Sequence, residues 1–208
     1  FKILKLYIFI FNGEKSISER EEPTYIFKIC LIGSAAVGKT CIARRLCFDT
    51  FDMNTQLTVG IDFYTYNIPI IIDGKESLVR LSLWDFGGQE QFKRLFNYYI
   101  NGANGIFLVF ELVNIETLTK LDWWYSQLLE HNLQDQPKII LGTKLDLVQT
   151  EAKKHKIDDL IIVQFLKNHN ESDFIRTSSK ENTNILYSFK KMVKKILEFH
   201  ELAYDKIL

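Results

Sequence analysis

Cysteine, proline and net charge are all in short supply in this chain, and each shortage removes a class of protein. Three cysteines, Cys30, Cys41 and Cys47, form an odd set with no CxxC pair and no partnering pair of histidines. The spacing excludes a disulfide framework and a zinc site, and points to free thiols in a reducing cytosol. Three prolines and ten glycines in 208 residues are too few for a collagenous or Pro-rich disordered chain. Lys and Arg number 26 and Asp and Glu number 26, for a formal net charge of zero, so nucleic acid is not the expected partner. No run approaches eighteen apolar residues, and no membrane-spanning helix is expected.

What remains is ordinary globular material. With 47% hydrophobic and 25% charged residues, the chain can fill the core of one domain and is short for two. Residues 1–24 read as an N-terminal extension and linker, 25–200 as the domain, and 201–208 as a tail. Phe1 to Phe11 is apolar except for Lys2 and Lys5, Asn12-Gly13 reads as a turn, and Glu14 to Pro23 as a polar linker. The first residue is Phe rather than Met. Three readings stay open for this stretch: an appended strand or remnant of an upstream segment, a membrane or partner anchor, and an artefact of the gene model.

From Tyr25 onward strand-like and helix-like runs alternate, which predicts an α/β fold with a mostly parallel sheet and helices on both faces. The expected six strands are Tyr25–Ile32, Phe63–Ile72, Ser77–Asp85, Gly105–Leu112, Lys138–Gly142 and Asp173–Thr177. The expected helices are Lys39–Cys47, Gln91–Asn101, Ile115–His131, Ile157–Asn168 and Thr183–Phe199. Asp73-Gly74 between the second and third strands reads as a tight hairpin, so one strand pair should be antiparallel.

The first chemical signal is Gly33-Ser34-Ala35-Ala36-Val37-Gly38-Lys39-Thr40, which fits G-x-x-x-x-G-K-[ST] between a strand and a helix. Such a P-loop curls its backbone N–H groups toward phosphate oxygens, and the helix N-terminus behind it adds partial positive charge. Lys39 would reach the β- and γ-phosphates, and the Thr40 hydroxyl would hold Mg²⁺. The second signal is Trp84-Asp85-Phe86-Gly87-Gly88-Gln89-Glu90. Asp85 closes an apolar strand where its carboxylate can serve the magnesium hydration shell, Gly88 can bring a bare backbone N–H to a γ-phosphate, and Gln89 can orient a water. The third is Thr143-Lys144-Leu145-Asp146 after an apolar strand. Its carboxylate can accept from N1–H and the 2-amino group of guanine, donors that adenine lacks. Ser178-Ser179-Lys180 follows the last strand and could offer a backbone N–H to guanine O6.

Taken in order, Gly33–Thr40, Thr58, Asp85–Gln89, Thr143–Asp146 and Ser178–Lys180 resemble the five guanine-nucleotide motifs of Ras-superfamily small GTPases. Thr58–Phe63, Phe27–Ile32 and Asn97–Ala103 are most similar to the Rab branch, whereas Trp84–Glu90 resembles the second switch segment of Arf-type and Roco-type proteins. The resemblance covers about 175 residues of a P-loop NTPase G domain. It implies a GTP-hydrolysing switch that uses Mg²⁺, with Lys39, Thr58, Gly88 and Gln89 as its catalytic set and Thr40, Thr58 and Asp85 at the metal. Ser34 through Cys41 would wrap the phosphates. Phe51 would pack against guanine (an ordinary core Phe is the alternative), and Lys144 would lay its stem over the base. It also implies protein effectors, an exchange factor, a GTPase-activating protein, a monomer, and a cytoplasmic address that extends to the periphery of a membrane.

Several residues depart from the family pattern. Ala35 stands where Ras carries Gly, which predicts unassisted turnover on the order of 10⁻⁴ to 10⁻² per second. Gly87 stands where Rab and Ras proteins usually carry Ala, and Thr143 replaces the usual Asn. The stretch from Thr58 to Asp85 is longer than the Rab pattern, with the excess around Pro69–Ser77. Its Ile70-Ile71-Ile72 run reads as a partner edge or simply a longer hairpin. No Cys follows Cys47, so no prenyl anchor is expected in this chain. Lys190, Lys191, Lys194 and Lys195 could touch anionic lipid or form a solvated helix face. Of Trp123-Trp124-Tyr125, one is expected to be exposed, because consecutive helical residues cannot share a face. Two alternatives to the switch stay open: a GTP-binding scaffold with little hydrolysis, and a GTPase module of a larger Roco-like protein.

Overall fold

The computed structural model describes residues 22–148 and 156–208. The readings placed on Phe1–Phe11 and on the Asn12-Gly13 turn lie outside the described residues. β1 (Tyr25–Ile32) leads through the P-loop into α1 (Lys39–Phe48), and β2 (Ile61–Ile72) turns back as β3 (Lys75–Phe86). A 3-10 turn at Glu90–Phe92 opens α2 (Lys93–Tyr99); then come β4 (Gly105–Glu111), α3 (Ile115–Thr119) and α4 (Leu121–Glu130). β5 (Lys138–Thr143), α5 (Leu145–Val148), α6 (Asp159–Asn168), β6 (Phe174–Arg176), α7 (Ile185–Phe199) and β7 (Lys206–Ile207) complete the order.

The strands lie as β6-β5-β4-β1-β3-β2-β7, with β2 antiparallel to β3 and β7 and every other pair parallel. Both faces are covered, and β1 shows it residue by residue. Ile29 and Leu31 enter the core beneath α1 and α7, with Phe107 and Phe189, while Cys30 and Ile32 enter the other core, with Phe96, Phe110 and Trp124. That split is the period-two alternation of a strand with a hydrophobic layer on each side.

The sheet has seven strands rather than the expected six, and the extra one comes from the tail. Asp73 and Gly74 both take positive φ, 50° and 70°, which suits the twist of a two-residue hairpin turn. At the far edge of that hairpin Ile207 pairs with Ile70 and Lys206 with Ile71. Leu208 N–H donates to Pro69 O, and Gly74 N–H donates to the Asp205 carboxylate, both at 2.9 Å. The apolar edge that read as a partner edge is therefore occupied by the chain's own tail.

Two surface expectations also change. Lys191 and Lys195 both pair with Asp173, and Lys194 lies 3.6 Å from Glu198, so three of the four lysines on α7 already face carboxylates. No member of Trp123-Trp124-Tyr125 stands bare. Trp124 is buried, Trp123 lies 3.9 Å beneath the Lys93 ammonium, and Tyr125 stacks on His169 at 3.9 Å. Among the described residues no helix is long and apolar enough to cross a membrane. All three cysteines are free, and burial pushes the Cys30 and Cys47 thiols up to about 12.

Candidate functional site

The site lies at the carboxyl ends of β1, β3 and β5, where loops leave a mostly parallel sheet. Between Ile32 and Lys39 the backbone passes through left-handed conformations at Ala36 (φ 62°) and Gly38 (φ 101°), a curl that lets successive N–H groups converge on an anion. Lys39 is buried at the start of α1, and its ammonium donates to Gly33 O at 3.0 Å and Ser34 O at 2.7 Å. These are neutral acceptors. Burial pulls the Lys39 amine down to about 8, against the opposing pull of the Asp85 carboxylate.

Asp85 sits at the end of β3 with its side chain sealed from solvent. The Thr40 hydroxyl donates to Asp85 Oδ2 at 2.5 Å, the Thr58 hydroxyl donates to the same oxygen at 3.4 Å, and the two hydroxyls lie 2.7 Å apart. Asp85 Oδ1 is buried without a hydrogen-bond partner among the described residues. Burial pushes the carboxyl up to about 6, while Lys39 and the two threonines pull it down. A buried carboxylate oxygen with no partner is costly, and its carboxylate stands beside two hydroxyl oxygens, those of Thr40 and Thr58.

One cavity of roughly 110 Å³ is lined by Ala35, Ala36, Gly38, Lys39, Thr40, Cys41, Thr55, Thr58, Gly88 and Gln89, among others. That is below the ~300 Å³ at which whole-ligand pockets begin, so the enclosure has room for only part of a larger ligand. Gly88 presses directly on the loop: a Cβ there would meet Ser34 C and Ala35 N at 2.3 Å. The Gln89 carboxamide accepts from the Gln91 amide at 3.1 Å. Cys41 Sγ lies 3.7 Å from the Thr55 hydroxyl, a weak contact between α1 and the loop that leads to Thr58.

Thr143–Asp146 and Ser178–Lys180, read from the sequence as facing a base, stand outside this cavity and are tied to it through Thr143. Its buried hydroxyl is shared between Val37 O at 2.6 Å and Phe110 O at 2.9 Å, which joins the end of β5 to the P-loop. Lys144 pairs with Glu111 at 2.8 Å. Ser178 Oγ donates to Asp146 Oδ1 at 2.6 Å, and Leu145 N–H donates to Thr177 O at 3.0 Å. Among the described residues only one carboxylate oxygen of Asp146 is spent in this way. Phe51 is half-buried and belongs to neither hydrophobic cluster among the described residues.

Two residues that sequence reasoning passed over hold this half together. Arg45 on α1 donates from Nε to Ser179 O at 2.7 Å and from Nη2 to Lys180 O at 3.3 Å, while its Nη1 pairs with Asp49 at 2.9 Å. Glu111 at the end of β4 anchors Lys144. The i, i+4 spacing of Arg45 and Asp49 was the one available signal, and it reports the least of what Arg45 does.

A model of the Ras family matches residues 28–198. Ras-related protein Rab-8B from Pongo abelii is 34% identical over 174 residues, which is 83% of this chain and 79% of its own length. Rab-8B from Homo sapiens is 33% identical over the same shares, and Rab-8A from Bos taurus is 34% identical over 173 residues.

Proposed function

The chain belongs to the Ras family and to its Rab branch, and from that premise we propose how its own residues run a GTPase switch, GTP and water giving GDP and phosphate. The observation that carries the reading is the cluster of Thr40, Thr58 and Asp85 beside Lys39, facing Gly88 and Gln89 across one cavity. P-loop N–H groups and the Lys39 ammonium bind the β- and γ-phosphates, giving a buried cation the anion it lacks. Mg²⁺ fits the donor set, since the hydroxyls of Thr40 and Thr58 and the unpartnered Asp85 oxygen are hard oxygens. When bound, the ion would neutralise charge on the phosphate oxygens. Gly88 offers its N–H at the γ-phosphate position, and Gln89 turns from Gln91 to orient the attacking water.

At the other end Asp146 selects guanine, Ser179 offers its N–H to O6, and Lys144 and Phe51 flank the base. Release of the γ-phosphate frees Thr58 and Gly88 and so changes the surface. That surface includes Phe63, Trp84 and Tyr99. Phe63 meets Trp84 edge-on at 4.5 Å, and Tyr99 lies 6.1 Å beyond. Phe63 is 59% exposed, and an aromatic patch between the two switch segments suits effectors that read the nucleotide state. An exchange factor and a GTPase-activating protein are the expected regulators, in membrane trafficking or signalling at the periphery of a membrane.

The second reading, a GTP-binding scaffold with little hydrolysis, draws on the Ala35 methyl in the cavity and on the Gln89 bond to Gln91. Mass-spectrometric identification of the nucleotide that copurifies, with and without Mg²⁺, tests base choice; adenine nucleotide would refute the role of Asp146. Single-turnover hydrolysis separates the two readings. Gln89→Leu is expected to be slower than the wild type by about tenfold or more, and equal rates would remove Gln89 from the mechanism.

A further inference from the structure

Beyond Asp85 the strand runs through Phe86 to Gly87, and there it meets the loop that carries Thr58. Gly87 N–H donates to Gly60 O at 2.8 Å, which extends the β2–β3 ladder one step past the Ile61–Phe86 pair. A Cβ at position 87 would lie 2.7 Å from Thr58 O, 3.0 Å from Gly60 O and 3.3 Å from the Phe92 ring. Two of those three neighbours are backbone oxygens, which cannot swing aside as the end of a flexible side chain would. The same Thr58 is fixed from its other side, where its hydroxyl meets Thr40 and Asp85. Thr58 is thus held between a backbone that tolerates no side chain and the hydroxyl at the start of α1.

We infer that Gly87 is a positioning residue of the GTPase site, whose missing side chain lets the Thr58 loop dock against the Gly88–Gln89 segment so that both move as one body. The inference rests on the switch reading above. Its point is specific to this chain: the Ala usual at this position in Ras and Rab proteins would collide with the Thr58 carbonyl in this packing. Gly87 touches neither phosphate nor metal in this role. It acts through Thr58, the residue that senses the third phosphate, so its removal should weaken the triphosphate state and spare the diphosphate state.

The test compares the full chain with Gly87→Ala, with Thr58→Ala, and with the double variant. For Gly87→Ala, release of a fluorescent non-hydrolysable GTP analogue in Mg²⁺ is expected to accelerate about tenfold, the size expected when a methyl is forced into a filled space. GDP release should stay within about twofold, and the double variant should match Thr58→Ala, because residues in contact do not act additively. Equal acceleration for GDP and the GTP analogue would mark a merely structural glycine and overturn the inference, as would wild-type behaviour or additive effects. Amide hydrogen exchange supplies a readout that needs no variant. In the wild type, residues 58–60 and 86–88 should gain or lose protection together when GDP is exchanged for the analogue; independent changes overturn the inference. A wild type that binds no guanine nucleotide would refute the switch reading instead. Faster exchange of residues 58–60 in Gly87→Ala without nucleotide would still decide the docking.

Discussion

Removing the Arg45 guanidinium should damage nucleotide retention more than any surface ion pair could explain. Arg45 is an α1 residue whose side chain is 13% exposed, and it bonds the carbonyls of Ser179 and Lys180 on the loop that would face guanine O6. Hydrogen bonds to charged groups are worth about 1.5–3 kcal/mol when buried. Its pairing with Asp49, 78% exposed, is worth no more than about 0.5 kcal/mol. Arg45→Met keeps the stem and loses the fork. GDP dissociation should accelerate about tenfold, which corresponds to about 1.4 kcal/mol of the loop's ordering. Arg45→Lys can still reach Asp49 but cannot donate in two directions, so its dissociation rate should resemble that of Arg45→Met. Asp49→Asn keeps a residue type that tolerates the left-handed cap (φ 51°) and should change neither dissociation nor stability beyond about 0.5 kcal/mol. Dissociation of a fluorescent GDP in excess Mg²⁺, with urea titration in parallel, measures both quantities. If Asp49→Asn is as harmful as Arg45→Met, or if Arg45→Met retains GDP within about twofold of the wild type, the loop-clamping argument fails.

Two further outcomes follow from the sheet edge and from α7. Asp205→Ala removes the acceptor for Gly74 N–H and should cost about 0.5–1.5 kcal/mol in a denaturant titration, with faster amide exchange at Ile70 and Ile71; unchanged exchange there would mean that the tail strand does not protect the edge. Asp173 is a carboxylate whose partial burial opposes ionisation, but Lys191 and Lys195 outweigh it and hold its pKa below the usual value. A depressed folded-state pKa stabilises the fold above the unfolded value of about 3.9 and loses that contribution as pH falls through the folded one. The urea midpoint of the wild type should therefore drop more steeply on acidification below about pH 4 than that of Asp173→Asn, and parallel profiles would contradict the assignment.

Elements with a strong period and a chemical boundary were legible from the residues, and elements made by tertiary contact were not. β1 falls at Tyr25–Ile32 as read, because an apolar run ends at Gly33 and a P-loop follows. Two helices start later than their apolar runs suggest, because the backbone there is not yet helical. α6 begins at Asp159 because the Asp158 side chain accepts from Leu160 N–H, and α7 begins at Ile185 because Asn184 is left-handed. Ile115–His131 is two helices with Lys120 between them, and Gln91–Asn101 opens with a 3-10 turn at Glu90–Phe92. β7 carries no pattern at all: two residues become a strand only because β2 offers a free edge. The same logic divides the site. Lys39, Thr40, Asp85 and Asp146 carry their chemistry in their side chains and spacing. Arg45 works on the backbone oxygens of Ser179 and Lys180, and a carbonyl has no letter in a sequence.

The cavity beside the P-loop also adjoins two buried charged groups that their neighbours satisfy incompletely. Lys39 and Asp85 are both buried, and burial drives each toward its neutral form. A buried pair offsets its desolvation only when the remaining lone pairs and protons are satisfied. Here Lys39 spends its hydrogens on two neutral carbonyls, and among the described residues one Asp85 oxygen has no partner. A polyanion would answer the first deficit and a divalent cation the second, so each ligand removes a cost that the other leaves. Gly88 borders that space with its backbone packed on Ser34 and Ala35, and Thr58 borders it with its hydroxyl against Thr40 and Asp85. The incompletely satisfied pair and the two segments that border it therefore belong to one arrangement. In the switch proposed above, a ligand that settles these charges would also fix the two segments, and that coupling would let one chemical step be read at the surface.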